Sequence, residues 1–145
     1  MKQVIEHIRN KPHEVRNQIV WICVGVIIAF LLIVWLVAGV VSAGLYPIAD
    51  SLALVSRMGV TGMPAVGVLY AGVIVDLAFG IATLVVRRKA LWALQILVVL
   101  GYTAIITIWL PEFWLHPYGP IVKNLPFLCA LLFLYELEER SAWST

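Results

Sequence analysis

Residues 19–46 read IVWICVGVIIAFLLIVWLVAGVVSAGLY and contain no charged side chain. At about 1.5 Å of rise per helical residue, such a run is longer than a hydrocarbon core of about 30 Å requires, so it reads as a transmembrane helix. A cleaved signal peptide is the rival, because Val41-Ser42-Ala43 has the small-residue character of a processing site. The apolar region is about twice the usual length of a signal core, and an uncleaved anchor is favoured. The composition agrees: 63% hydrophobic residues, 12% charged residues and a mean hydropathy of +1.00. Soluble chains are roughly half apolar and about a quarter charged. Lipid is the expected solvent, and disordered or nucleic-acid-binding classes are excluded despite the pI near 8.7.

Working outward, residues 1–18 carry Lys2, Arg9, Lys11 and Arg16 with Val4, Ile5 and Ile8 at helical spacing, and Pro12 interrupts them. Two readings stay open: a short helix near the lipid headgroups that turns at Pro12, or a disordered cytosolic tail. After Pro47, residues 48–59 mix polar and apolar positions and predict an amphipathic interfacial helix on the outer face. Pro64 suits the first turn of a second span running to Val86, which stops at Arg87-Arg88-Lys89, a cluster too costly to bury. The third span is expected over 90–110, ending at Pro111. An aromatic and proline-rich stretch, residues 112–120, suits the membrane interface, with Trp109, Phe113, Trp114 and Tyr118 as anchors. The fourth span is expected over 120–137, before the tail 138–145.

Basic residues by side are Lys2, Arg9, Lys11, Arg16, Arg87, Arg88, Lys89 and Arg140 against Arg57 and Lys123. That bias predicts both termini in the cytoplasm. The expected fold is therefore an all-α integral membrane bundle of four transmembrane helices, N-in/C-in, with a short interfacial helix between helices one and two. The domains follow as a cytoplasmic basic segment 1–18, a transmembrane domain 19–137 and a cytoplasmic tail, in a bacterial inner membrane.

Asp76 is the one acidic residue inside the first three spans, near the middle of its own. A mid-membrane carboxylate costs roughly 2.5–3.5 kcal/mol on insertion scales and normally faces a bundle interior or a wet cavity. Gly72, Asp76, Gly80 and Thr83 share one face, where a neighbouring backbone can approach. In the third span Gln95, Tyr102 and Trp109 form a stripe with Thr103 and Thr107 beside it, and Tyr102 and Thr103 fall at the depth of Asp76. Trp35, Gly39, Ser42 and Tyr46 share a face of the first span and extend this lining. Lys123 and Asn124 sit a few residues into the fourth span, about 10 Å nearer the outer surface than Asp76, so no direct ion pair is expected. Lys123 either snorkels outward or meets Glu112 or His116. A functional and a structural role stay open for Asp76, and His116 beside Glu112 reads first as an interfacial loop histidine. Cys23 and Cys129 lie far apart in apolar runs and read as small buried hydrophobes, with no metal site expected.

Three segments carry a family resemblance: Tyr46-Pro47-x-x-Asp50-Ser51-Leu52-Ala53-Leu54, the Tyr70 to Gly80 stretch with Asp76, and WLPEFWLHPYGPxxKNLP over 109–126. Together they resemble the DoxX-like family of small bacterial membrane proteins over roughly residues 30–140, leaving the first 25 or so residues outside the pattern. The resemblance implies a four-helix membrane domain. Some relatives are subunits of quinone-linked oxidoreductases acting on reduced sulfur compounds, and others accompany nucleotide-binding oxidoreductase domains.

The first functional expectation is thus a membrane subunit or accessory of a redox system, contacting quinone or a partner oxidoreductase subunit. Glu112, His116, Lys123 and Asn124 would form a polar outer site, with Asp76 as a buried relay partnered by Tyr102 or Thr103. The chain has no Rossmann glycine fingerprint, haem-spaced histidines or cysteine cluster, so electrons need a partner or a diffusible quinone and no covalent cofactor is expected. The alternative is a non-enzymatic assembly or anchoring protein whose polar residues hold the helices together. A small proton-coupled carrier ranks last, because the sequence shows no internal repeat. An oligomer stays open, and nucleic acid is not an expected partner.

Overall fold

The computed structural model describes residues 2–115 and 121–142, with the side chains of 2–14, 16 and 139–142 left out of account. The described residues contain helices and connecting turns and no strand. The helices are α1 (Lys2–Val40), α2 (Ile48–Arg57), α3 (Met63–Val85), α4 (Lys89–Trp109) and α5 (Asn124–Ala142), with a π turn over Val41–Leu45 and a 3₁₀ turn over Pro111–Trp114.

The first helix departs from expectation at its start. Pro12 does not break it, and α1 runs unbroken for 39 residues. Proline removes one rung of the hydrogen-bond ladder and crowds the preceding turn, and here the helix continues on both sides of that lost rung. At its other end the ladder widens, with the Tyr46 amide donating to the Val41 carbonyl at 3.0 Å. Gly44, at φ 155°, then turns the chain out of the helix, a conformation that side chains rarely adopt. Pro47 opens α2, and Asp50 in its first turn and Arg57 in its last complement the helix dipole. Gly62, at φ 67°, and Pro64 then start α3. The boundaries of α3 and α4 agree with the expected spans to within a residue or so.

Three helical segments among the described residues are long and apolar enough to cross a membrane: Asn17–Leu45, Met63–Val85 and Lys89–Trp109. The helix α5 is different. It has 19 residues but carries Glu136, Glu138, Glu139 and Arg140 in its second half, so its uninterrupted apolar stretch is shorter than the roughly 20 residues of a typical span. It also starts at Asn124 rather than near residue 120, after a turn at 121–123. Lys123 therefore precedes the helix instead of lying inside it.

Packing pairs α1 most extensively with α3, and α4 with α5. The first pair interlocks through reciprocal leucine–glycine contacts. A methyl group added to Gly80 would lie 2.6 Å from Leu36 Cδ2, and one added to Gly39 would lie 2.7 Å from Leu77 Cδ2. Each leucine fills the notch left by the other helix's glycine, the small-residue packing that brings membrane helices close. Gly72 is not such a point, because an added methyl group there would meet the Tyr102 hydroxyl at an ordinary 3.9 Å. Around this seam Trp35 packs against Phe79 at 5.0 Å and edge-on to Phe127 at 5.4 Å between ring centroids. Leu31, Trp92, Val99 and Leu131 complete the core.

The outer surface is apolar: Trp21, Ile22, Val26, Ile74, Leu97 and Ile108 are all more than half exposed. A water-facing surface does not carry so many contiguous apolar groups, whereas a lipid-facing one does. Cys23 and Cys129 belong to that outer surface and not to the core. A thiol behaves as a small hydrophobe and gains as much from lipid as from protein.

The interlocked seam makes a specific prediction. Gly80→Ile is expected to destabilise the protein by about 1–3 kcal/mol through overpacking against Leu36, measured as thermal unfolding in detergent. Adding Leu36→Ala should recover part of that loss, whereas equal damage in the single and double variants would remove Leu36 as the obstacle.

Candidate functional site

The polar residues of the spans assemble into two groups. In the first, the Trp35 indole N–H donates to Gln95 Oε1 at 2.9 Å, Gln95 Nε2 donates to Thr83 Oγ1 at 3.0 Å, and Thr83 Oγ1 donates to the Phe79 carbonyl at 2.7 Å. Gln95 is fully buried, and Thr83 and Trp35 nearly so. This chain joins α1, α4 and α3 and uses both ends of the Gln95 amide. Sequence reasoning placed Gln95 and Thr83 on inward faces but did not join them to the Trp35 indole.

The second group surrounds Asp76, which is 7% exposed. The Tyr102 hydroxyl donates to Asp76 Oδ1 at 3.1 Å and is the donor to this carboxyl among the described residues. Thr103, expected as an alternative partner, turns elsewhere. Its hydroxyl donates to the Val99 carbonyl at 2.7 Å and accepts from Asn124 Nδ2 at 2.9 Å. That last bond fixes the start of α5 against α4 at the level of Thr103, well below the end of α4.

A cavity of about 490 Å³ opens beside this pair. On one side α1 supplies Phe30, Val34 and Trp35, and on the other the start of α5 supplies Asn124 and Phe127. Asp76, Tyr102 and Lys123 stand on the same wall system. Lys123 and Asp76 line this one cavity, and no ion pair joins them among the described residues. A second cavity, of about 400 Å³, lies toward α2. Ser42, Tyr46 and Ser51 line it, and so do Asp76 and Tyr102. The Asp76–Tyr102 pair is therefore a wall common to both spaces.

Among the described residues of the outer polar cluster expected from sequence, Glu112 and the pair Lys123 and Asn124 have different neighbours. Glu112 pairs with Arg57 of α2, a residue that sequence reasoning left out of the site, and both side chains are about half exposed. Residues so far apart in the chain offer no periodic signal for the pairing. Trp114 donates to Thr107 Oγ1 at 3.0 Å, holding the 3₁₀ turn on α4. Lys123 and Asn124 belong to the Asp76 cavity instead, and His116 and Tyr118 lie outside the described residues.

With this geometry in place, a model of the DoxX-like family matches residues 32–132. The match takes in Asp76, Tyr102, Thr103, Glu112, Lys123 and Asn124, and begins after the basic N-terminal segment. No curated protein and no solved structure matches the chain. The family match spans most of the chain, and the protein belongs to the DoxX-like family.

Two tests follow. Gln95→Leu strands the buried Trp35 indole N–H, so a loss of roughly 1–3 kcal/mol in detergent unfolding is expected; an unchanged midpoint would mean the chain Trp35–Gln95–Thr83 does not hold the bundle. At the surface, the hydrogen bond from the Arg57 guanidinium holds the Glu112 carboxyl below the usual carboxylate range. A carboxyl lowered on folding stabilises above its unfolded value, and that contribution is lost as pH falls through the lowered folded value. The Glu112 carboxyl carbon, observed by NMR and assigned with Glu112→Gln, should accordingly titrate below about 4.3, and a midpoint at or above that value would show the tie to be absent in solution.

Proposed function

We propose that this DoxX-like membrane protein is a membrane subunit or accessory of a quinone-linked or other redox system, and that the larger cavity is where the quinone sits. One observation carries the reading: a space of about 490 Å³ whose walls are apolar and partly aromatic, with Asp76, Tyr102, Lys123 and Asn124 gathered on it. Pockets for small ligands are commonly of about 300–1,000 Å³, mostly apolar, with a few convergent polar groups. Phe30, Trp35 and Phe127 suit the faces of a flat ring, and the Lys123 ammonium is a donor suited to a ring oxygen. Electrons would pass to or from a partner oxidoreductase subunit, since the chain has no cofactor-binding motif of its own.

In this reading α5 is a fourth crossing, and both ends of the chain face the cytoplasm of a bacterial inner membrane. Two contacts support the crossing. Asn124 bonds to Thr103 in the second half of α4, while Lys89 at the start of α4 lies 4.6 Å above the Tyr135 ring. Helix α5 thus runs back along α4 toward the Arg87-Arg88-Lys89 cluster. The basic-residue bias supports the orientation.

A second reading, an assembly or anchoring protein without catalysis, draws on the Trp35–Gln95–Thr83 chain, whose three side chains are hydrogen-bonded to one another and tie α1, α4 and α3 together. The two readings separate on one measurement. Titrating purified protein with a short-chain quinone should quench tryptophan fluorescence saturably, and Lys123→Met should weaken binding by about tenfold, the worth of one hydrogen bond. No saturable quenching, together with unchanged partner recovery in the variant, would leave the assembly reading standing alone.

A further inference from the structure

The smaller cavity is lined mostly by apolar side chains, like the larger one, but three hydroxyls stand on its wall. Ser42 and Tyr46 come from the end of α1, and Ser51 from α2. None of their hydroxyls has a hydrogen-bond partner among the described residues, whereas Thr83, Thr103 and Thr107 each donate back to their own helix. Hydroxyls left unpaired in a lipid setting are costly unless water reaches them. These three groups and the Asp76 carboxyl offer a water two to four polar partners along one side of a space of about 400 Å³, whose remaining walls, among them Val68, Leu69 and Ile105, are apolar.

Position points the same way. Helix α2 lies at the end of the spans that carries Arg57 and Glu112, and the cavity extends from under α2 to Asp76. Asp76 has one oxygen engaged by Tyr102, and its carboxyl stands on the walls of both spaces. We infer that the smaller cavity is an aqueous vestibule through which Asp76 exchanges protons with the water on the α2 side, making this carboxyl the proton donor and acceptor for the occupant of the larger cavity. A hydronium ion arriving through the vestibule gives a proton to a carboxylate oxygen and leaves as water, and the resulting O–H gives that proton up to an acceptor oxygen of the occupant, restoring the carboxylate. No electron moves in either step, and the reverse sequence returns the proton to water. The other titratable groups on these walls are Tyr46 from the end of α1, Tyr102 from α4 and Lys123 ahead of α5. The inference rests on the ligand reading only for the identity of the acceptor.

Thiol access in proteoliposomes tests it, in a background with Cys23→Ala and Cys129→Ala, both of which lie on the outer surface. A small, charged, membrane-impermeant methanethiosulfonate should modify Ser42→Cys and Asp76→Cys at least tenfold faster than the lipid-facing control Leu97→Cys. Plugging the vestibule with Ser51→Phe should slow the modification at position 76 by a similar factor. If Asp76→Cys does not fold, the Ser42→Cys rate, with and without the plug, decides the matter by itself. Rates at the level of the Leu97→Cys control would overturn the vestibule, as would a rate at position 76 that the plug leaves unchanged, since access would then come through the larger cavity. Quinone titration of the protein without the plug reports separately on the ligand reading: a protein that admits the reagent but takes up no quinone keeps the vestibule and loses the quinone site.

Discussion

The structure depends on a single constraint, that a polar group inside lipid must find its partner within the protein. Asp76, Thr83 and Gln95 are the polar or charged residues buried among the described positions, and each is hydrogen-bonded to another element or to its own helix backbone. Gln95 is the most demanding, because an amide offers donors at one end and an acceptor at the other. Only a site between α1 and α3 satisfies both, with the Trp35 indole on one side and the Thr83 hydroxyl on the other. The rotation of α4 about its axis is thereby set, and with it the direction of Tyr102, two turns further on. Trp92, whose buried indole nitrogen has no partner among the described residues, is an exception for which the fold offers no physical account.

Close approach of α1 and α3 supplies the other half of the frame. Because Leu36 and Leu77 occupy the notches at Gly80 and Gly39, these two helices meet along their length, while α3 and α4, although joined by a tight turn, touch much less. The gap left between the α1–α3 pair and the α4–α5 pair is where the larger cavity lies, bridged by the Tyr102–Asp76 hydrogen bond. Cavity and frame have the same origin: tight packing in one pair leaves space between pairs, and the polar groups that cannot face lipid collect there.

Much of the fold could be read from residue order. Charge-free runs and their breakers, Pro47, Gly62, Pro64 and the 87–89 cluster, located α2, α3 and α4 closely, because lipid penalises charge heavily and the penalty is local in sequence. The inward faces were legible for the same reason, through the 3.6-residue period that aligns Gly80 with Asp76 and Gln95 with Tyr102. Pro12 misled, since a proline lowers helix stability without forbidding a helix. The start of α5 misled as well, because a hydrophobic run shows where a helix can lie and not the depth at which the chain begins it.

Composition and charge spacing by themselves determined that this chain lives in lipid, which segments are helical and which side of each helix turns inward. Those properties follow from transfer free energies and helical periodicity, both of which act residue by residue. Tertiary structure alone decided which inward groups meet: that Tyr102 and not Thr103 reaches Asp76, that Glu112 goes to Arg57, and that Lys123 joins the Asp76 cavity. A hydrogen bond is made or lost within about half an ångström, and displacements of that size are set by how leucines and glycines interlock between helices, which no single segment contains.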